Sequence, residues 1–310
     1  MGRYDLADQR AFASGQAVYA VSDAAQAVSL TGPDALKLVS ALTTLPPGPA
    51  GPPPSGAEAL ALDSQGHILF GLAIRPAEDG DGLLVLTDGP AEELAELINS
   101  RRFRLRALAA PRPEVKVLVT PRRVEGFGLA AFEDGWPGPN EDSGLIWPRY
   151  ALDRPHPGAA LTGLAAHVYD PRADWSAPDR LEAMGYRQID AAVLEGLRIA
   201  AWRPLASREA ADSKTLPHEL DWLRATTPIG SGCYPGQETV ARIVNLGKPP
   251  RRLVMLHLDG SDAALPAPGA EVWAAGADEA RGTGRAGSPP APGAEVWAAG
   301  PGAADGGRPD

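Results

Sequence analysis

Short apolar runs, four to seven residues long and broken repeatedly by turn sequences, constrain this chain more than any other feature. Ala59 to Leu62 and Ile68 to Ile74 are separated only by Asp63, Ser64, Gln65, Gly66 and His67, a spacing that predicts a β-hairpin. Leu83 to Leu86 predicts a further strand, as does Ala27 to Leu30. Between these runs the apolar spacing lengthens to three residues. Leu36, Val39 and Leu42 follow Pro33, and Leu94 and Leu97 follow Asp88 and Pro90, so two helices are expected, each opened by a proline or capped by the preceding acid. Helices alternating with antiparallel hairpins predict an α+β protein and not a doubly wound parallel sheet.

The same reading extends downstream. Phe103, Leu105 and Ala107 alternate with Arg102, Arg104 and Arg106, the period-two pattern of a half-buried strand. Lys116 to Val119 and Phe127 to Phe132 are strand candidates, whereas Trp136 to Pro139 and Arg154 to Gly158 read as loops. Ser176 and Pro178 open one helix, and Ile189, Val193, Leu197 and Ala200 mark one face of another. Leu253 to Leu258 and Ala270 to Ala274 predict strands of a small C-terminal β unit. That unit is then interrupted, because Pro266 to Gly276 recurs identically as Pro290 to Gly300. Two copies are too few for a solenoid. The expected division is therefore an α+β region over residues 1–248 with two intertwined subdomains, the start of a β-barrel over 249–285, and a disordered or aberrant tail over 286–310.

At 310 residues, with 44% hydrophobic content, the chain can bury substantial cores. Lysine and arginine number 29 against 39 acids, a net charge of −10, which argues against a general nucleic-acid binder. The basic run Arg101, Arg102, Arg104, Arg106, Arg112, Lys116, Arg122 and Arg123 is the exception. It reads more readily as a solvated strand edge than as an RNA contact. No stretch approaches 18 uninterrupted apolar residues, and MGRYDLADQRAFASG lacks the apolar core of a secretory signal, so a cytoplasmic protein with no membrane partner is expected.

Cys233 is the sole cysteine, which excludes an intramolecular disulfide and a multi-cysteine metal site from this chain alone, so no metal is expected. Its surroundings, Gly230, Ser231, Gly232, Tyr234, Pro235 and Gly236, describe a shaped loop. Gln237 to Val244 then reads as a helix opening, and a thiol just ahead of a helix N-terminus is biased toward thiolate. The residue type alone fits a small buried hydrophobe equally well. A Cys/His hydrolase is disfavoured, since the nearest histidine, His218, lies fifteen residues upstream without an orienting motif. Trp222 and Tyr234 fit either core packing or stacking on a planar ring.

GCYPGQETVAR, from Gly232 to Arg242, resembles the KGCYxGQE signature of the YgfZ folate-binding proteins, relatives of the glycine-cleavage aminomethyltransferase. LRIAAWRP at 197–204, KTLPHELDW at 214–222, NLGKPPRRLV at 245–254, VSLTGPDALKLVSALTT and ALDSQGHI add to the resemblance. It implies an aminomethyltransferase-like cloverleaf with antiparallel sheets, a C-terminal β-barrel that here looks incomplete, and tetrahydrofolate as ligand. It further implies a role in assembly or repair of iron–sulfur client enzymes, with effects on a cluster-dependent tRNA-modifying enzyme. By resemblance, Cys233 is the functional thiol, and Gly232, Tyr234, Gly236, Gln237, Glu238 and Arg242 belong to the folate-binding motif. Two departures bear on chemistry. The signature's lysine is Ser231, and the acid of aminomethyltransferases in the LRxEAG stretch is Ala200, which disfavours an aminomethyl transferase.

Overall fold

The computed structural model describes residues 5–22, 24–46, 48, 51–78, 80–129, 131–134, 136, 158, 163–210, 212–226, 233–246, 249, 251–256, 271–273, 280–285 and 296–301. Fourteen strands and nine helical segments are described, in three sheets.

The first five-stranded sheet has the order Ala57–Leu62, Ile68–Pro76, Leu83–Thr87, Gln26–Thr31, Leu108–Pro111, with every neighbouring pair antiparallel. The expected hairpin is its edge. Asp63 Oδ1 accepts from the Gln65 and His67 amides at 2.8 and 2.9 Å, and Gly66 takes the φ of +86° that closes the turn. Strand alternation sends Val28, Leu30, Ala59, Ala61, Leu72, Ile74 and Val85 to one face. Helices Ala35–Leu42 and Ala91–Ser100 cover that face with Leu38, Val39, Leu94 and Ile98. The opposite face carries Glu58, Leu60, Ala73 and Leu86 toward the rest of the molecule.

The second sheet runs Arg187–Gln188, Val18–Ser22, Lys116–Thr120, Ala165–Tyr169, Ala131–Glu133. Its one parallel pairing joins Val18–Ser22 to Arg187–Gln188. Helix Ala177–Ala183 packs on one side through Ala177 and Leu181, against Tyr19 and Leu118. Helices Leu6–Ala13 and Ala192–Ala200 close the other side around Phe12, Val18, Val193 and Leu197. Ala27, Leu86, Val117, Phe132 and Val168 pack between the two sheets. An α+β architecture is therefore what the chain adopts.

Three expectations need correction. Arg102 to Ala107 is not a strand: pairing begins only at Leu108, and Phe103 stands 91% exposed with φ +49°. Asp34 Oδ2 accepts from the Arg106 amide at 2.8 Å and takes the donor a ladder would have used. Asp88 does not cap helix Ala91–Ser100, because Gln26 Oε1 accepts from the Ala91 amide at 2.9 Å instead. Within Phe127 to Phe132 the strand begins only at Ala131. Within the span read as a disordered or aberrant tail, residues Val296–Pro301 form a strand, where the repeated segment again supplies a Val-Trp pair. It pairs with Arg251–Leu256 and Ala280–Arg285, and Glu271–Trp273 completes a four-stranded antiparallel sheet. Closure of a barrel depends on intervening residues that lie outside the described ones.

Candidate functional site

The apolar faces of the two five-stranded sheets do not meet along their whole length. Where they part, between strand Ala57–Leu62, strand Ala131–Glu133 and helix Ala192–Ala200, a cavity of about 760 Å³ opens. Leu86, Val119, Phe132, Leu194 and Trp136 give it apolar surface. Its charged fittings come from chain segments far apart in sequence.

Arg203 is the centre of one cluster. Its guanidinium donates to both oxygens of Glu58, at 2.6 and 3.0 Å, and its Nε lies 3.4 Å from Asp134 Oδ2. The guanidinium carbon also lies 5.2 Å from the Trp136 ring centroid, a cation–π distance. Trp136 is itself fixed by donating its indole N–H to the Ala201 carbonyl at 2.9 Å. Burial, together with the Asp134 carboxylate alongside, pushes the Glu58 carboxyl up to about 7 even against Arg203. Glu58 thus shares its cation with Asp134 and holds its own proton near neutrality. Arg203 is held firmly protonated by the two acids although burial opposes its charge.

Arg198 organises the second cluster. It donates to Glu195 at 2.7 and 2.9 Å, to Glu209 at 3.1 and 3.2 Å, and to the Arg203 carbonyl at 2.7 Å. Burial raises the Glu209 carboxyl against the pull of Arg198. Glu195 is half-buried, which opposes its charge, yet its two bonds to Arg198 hold it below the ordinary carboxylate range. The residues involved, Glu58, Asp134, Trp136, Glu195, Arg198 and Arg203, escaped the sequence reading. Only Arg198 and Arg203 had a signal, since both fall in the LRIAAWRP stretch. Ala200 is exposed and does not line the cavity.

The cysteine motif sits elsewhere. Cys233 is exposed and lies four residues ahead of the first residue of helix Gln237–Leu246. Tyr234 turns inward to pack with Leu60, Leu62, Trp136 and Trp222, and burial pushes its phenol up to about 12. Gly236 has φ +77°, and a Cβ there would stand 2.4 Å from the Gly66 Cα and 2.7 Å from the Asp63 carbonyl. The loop is therefore pressed backbone to backbone against the hairpin turn. Gln237 is half-buried, Glu238 and Arg242 are exposed, and Gly232 lies outside the described residues. None of Cys233, Tyr234, Gly236, Gln237, Glu238 and Arg242 lines the cavity. Among the described residues no cluster of three His, Cys, Asp or Glu could hold a metal ion. No described helix is long and apolar enough to cross a membrane.

Part of the basic run is neutralised: Arg106 pairs with Asp34, Arg112 with Glu114, and Arg123 with Glu133.

A scan against protein-family models finds no match, and neither does a search of curated protein sequences. Among solved structures, the glycine cleavage system aminomethyltransferase T from Bartonella henselae is similar, with a TM-score of 0.63 and 14% identity over 94% of this chain and 81% of that one. At that identity the likeness is one of fold: the chain is built like an aminomethyltransferase T.

Proposed function

We propose that this chain is a tetrahydrofolate-binding accessory protein for the assembly or repair of iron–sulfur enzymes, with the cavity as the folate site and Cys233 as an external thiol. The observation that carries the folate reading is the cavity's chemistry. A space of about 760 Å³ is within the range of pockets that enclose cofactors, roughly 300–1,000 Å³. Its apolar walls suit a flat heteroaromatic ring. Its carboxylates outnumber its guanidinium groups, which suits a ring rich in N–H donors. The aminomethyltransferase-like fold and the GCYPGQE resemblance support the same choice.

In this reading Phe132 and Trp136 bound the ring's faces, while Arg198 and Arg203 hold the carboxylates of the wall in fixed positions. Bound tetrahydrofolate would supply one-carbon or redox chemistry. Cys233, outside the cavity and exposed, is available to a client protein, either to ligate its cluster together with partner ligands or to exchange with its sulfur.

Calorimetric titration of the intact chain with tetrahydrofolate tests the folate reading, and saturable one-to-one binding is expected. Absence of saturable binding overturns it. Cys233→Ala should bind tetrahydrofolate as the unaltered chain does, yet fail to restore cluster-enzyme activity in a deletion strain. Full restoration would remove the thiol from the proposal. The alternative, a folate-dependent aminomethyl transferase, draws on the fold and would be supported by transfer catalysed by the pure chain.

A further inference from the structure

Arg75 is a buried cation without a counter-charge. Strand alternation turns it to the same face as Ala73, toward the second sheet, and only 9% of the residue remains exposed. Its one hydrogen bond among the described residues, from Nη1 to the Ala131 carbonyl, is long at 3.4 Å, and its Nε is buried with no partner. The guanidinium carbon lies 5.8 Å from the Phe132 ring centroid, near the outer limit of a cation–π contact. Arg198 and Arg203, also withdrawn from water, each pair with two acids, whereas no described carboxylate pairs with Arg75. Glu78, three residues on, is exposed and acts on it only at a distance.

This arrangement is costly as it stands. A guanidinium does not shed its proton at neutral pH, and an unpaired charge taken from water loses its hydration without recovering it. Burial pulls Arg75 below the ordinary guanidinium value, and the charge of Arg123 adds to that pull. Arg123 is anchored to the same short strand: its Nη1 donates to Glu133 Oε1 at 3.0 Å, two residues along from the carbonyl that Arg75 touches. The Arg123 side chain is 55% exposed and that of Glu133 41%, so theirs is a surface pair that an incoming anion can share or displace at small cost. Two guanidinium groups thus converge on the edge strand Ala131–Glu133, one from inside with an unmet donor and one from the solvent side.

We propose that the edge of this strand binds a small oxyanion, a carboxylate or phosphoryl group, between Arg75 and Arg123. The unmet Nε edge of Arg75 belongs to the planar fork that such groups accept bidentately, and Arg123 closes over the anion from solvent. The site stands apart from the folate reading, since neither Arg75 nor Arg123 lines the cavity.

The test is thermal unfolding of the full chain, Arg75→Met and Arg123→Gln in sodium chloride, sodium phosphate and sodium acetate at matched pH and ionic strength. Phosphate or acetate should raise the midpoint of the unaltered chain above its value in chloride, by about 2–4 °C once the anion is roughly tenfold above its dissociation constant. Whichever binds more tightly assigns the group as phosphoryl or carboxylate. Arg123→Gln should weaken that anion by about tenfold. Arg75→Met should abolish the shift and, in chloride alone, should melt no lower than the unaltered chain, because it removes a charge that nothing balances. Arg123→Gln alters only an exposed pair, so it decides the matter if Arg75→Met fails to fold. The proposal is overturned if neither anion shifts the midpoint beyond chloride, or if either variant keeps the full shift.

Discussion

The cavity wall and the cysteine loop put opposite physics side by side. In the wall, Arg198 and Arg203 are largely withdrawn from water, each balanced by two acids, and every charge there depends on its partners. At the loop, Cys233 faces solvent, and local backbone shape, not electrostatics, sets its position. The first region is costly to disturb and suited to holding a ligand. The second presents its side chain to solvent.

The sharpest way to break this contrast is Arg203→Met. Removing the shared cation leaves Glu58 and Asp134 facing each other, and a loss of roughly 3–5 kcal/mol is expected, read as a lower urea midpoint. A loss under about 1 kcal/mol would mean that the wall is wetter and less interdependent than its geometry shows. Next in size is Gly236→Ala. An alanine at φ +77°, with its Cβ driven against Gly66, should cost about 2–3 kcal/mol. A neutral result would free the loop from the hairpin.

Titration gives a smaller effect with a definite sign. Glu58 holds its proton up to about pH 7 in the fold and only to the ordinary carboxylate range, roughly 4.3, when unfolded. Its contribution is therefore complete below that range and lost as pH rises through 7. His167 and His218 are displaced to about 4 by burial, so their contribution is complete above the ordinary histidine value and lost as pH falls through 4. Glu58→Gln should remove the first dependence and keep the second. The stability difference between Glu58→Gln and the unaltered chain should then move toward the variant between pH 5 and 7.5, by on the order of 2 kcal/mol. A flat difference would show that Glu58 is charged throughout. The smallest effect is expected at the loop: Cys233→Ser should shift stability by no more than about 0.5 kcal/mol. Without denaturant, the native thiol should react fully with a soluble disulfide reagent.

The same division explains what could be read from sequence. Strands and helices with strong local patterns, such as Ile68–Pro76, Ala91–Ser100 and Gln237–Leu246, were legible because their signals lie within a dozen residues. The loop before the last of these was legible for the same reason. Period-two alternation misled at Arg102 to Ala107, where a distant carboxylate, Asp34, captured a backbone donor. Asp88 was misread as a cap because nothing nearby shows that Gln26, 65 residues from Ala91 in sequence, takes that role. The cavity was invisible for a related reason. Glu58, Asp134 and Arg203 are ordinary surface residue types until the two sheets bring them together, and no spacing rule connects positions 76 and 69 residues apart.

The contact between Gly66 and Gly236 has a mechanical consequence. Strand Ala57–Leu62 carries Glu58 at one end and leads at the other into the turn against which the cysteine loop rests. Because backbone meets backbone there, with no side chain as a cushion, the cysteine loop and the strand that brings Glu58 to the cavity wall are held at one fixed spacing. Two regions of opposite character are thus joined at a pair of residues that have no side chains at all.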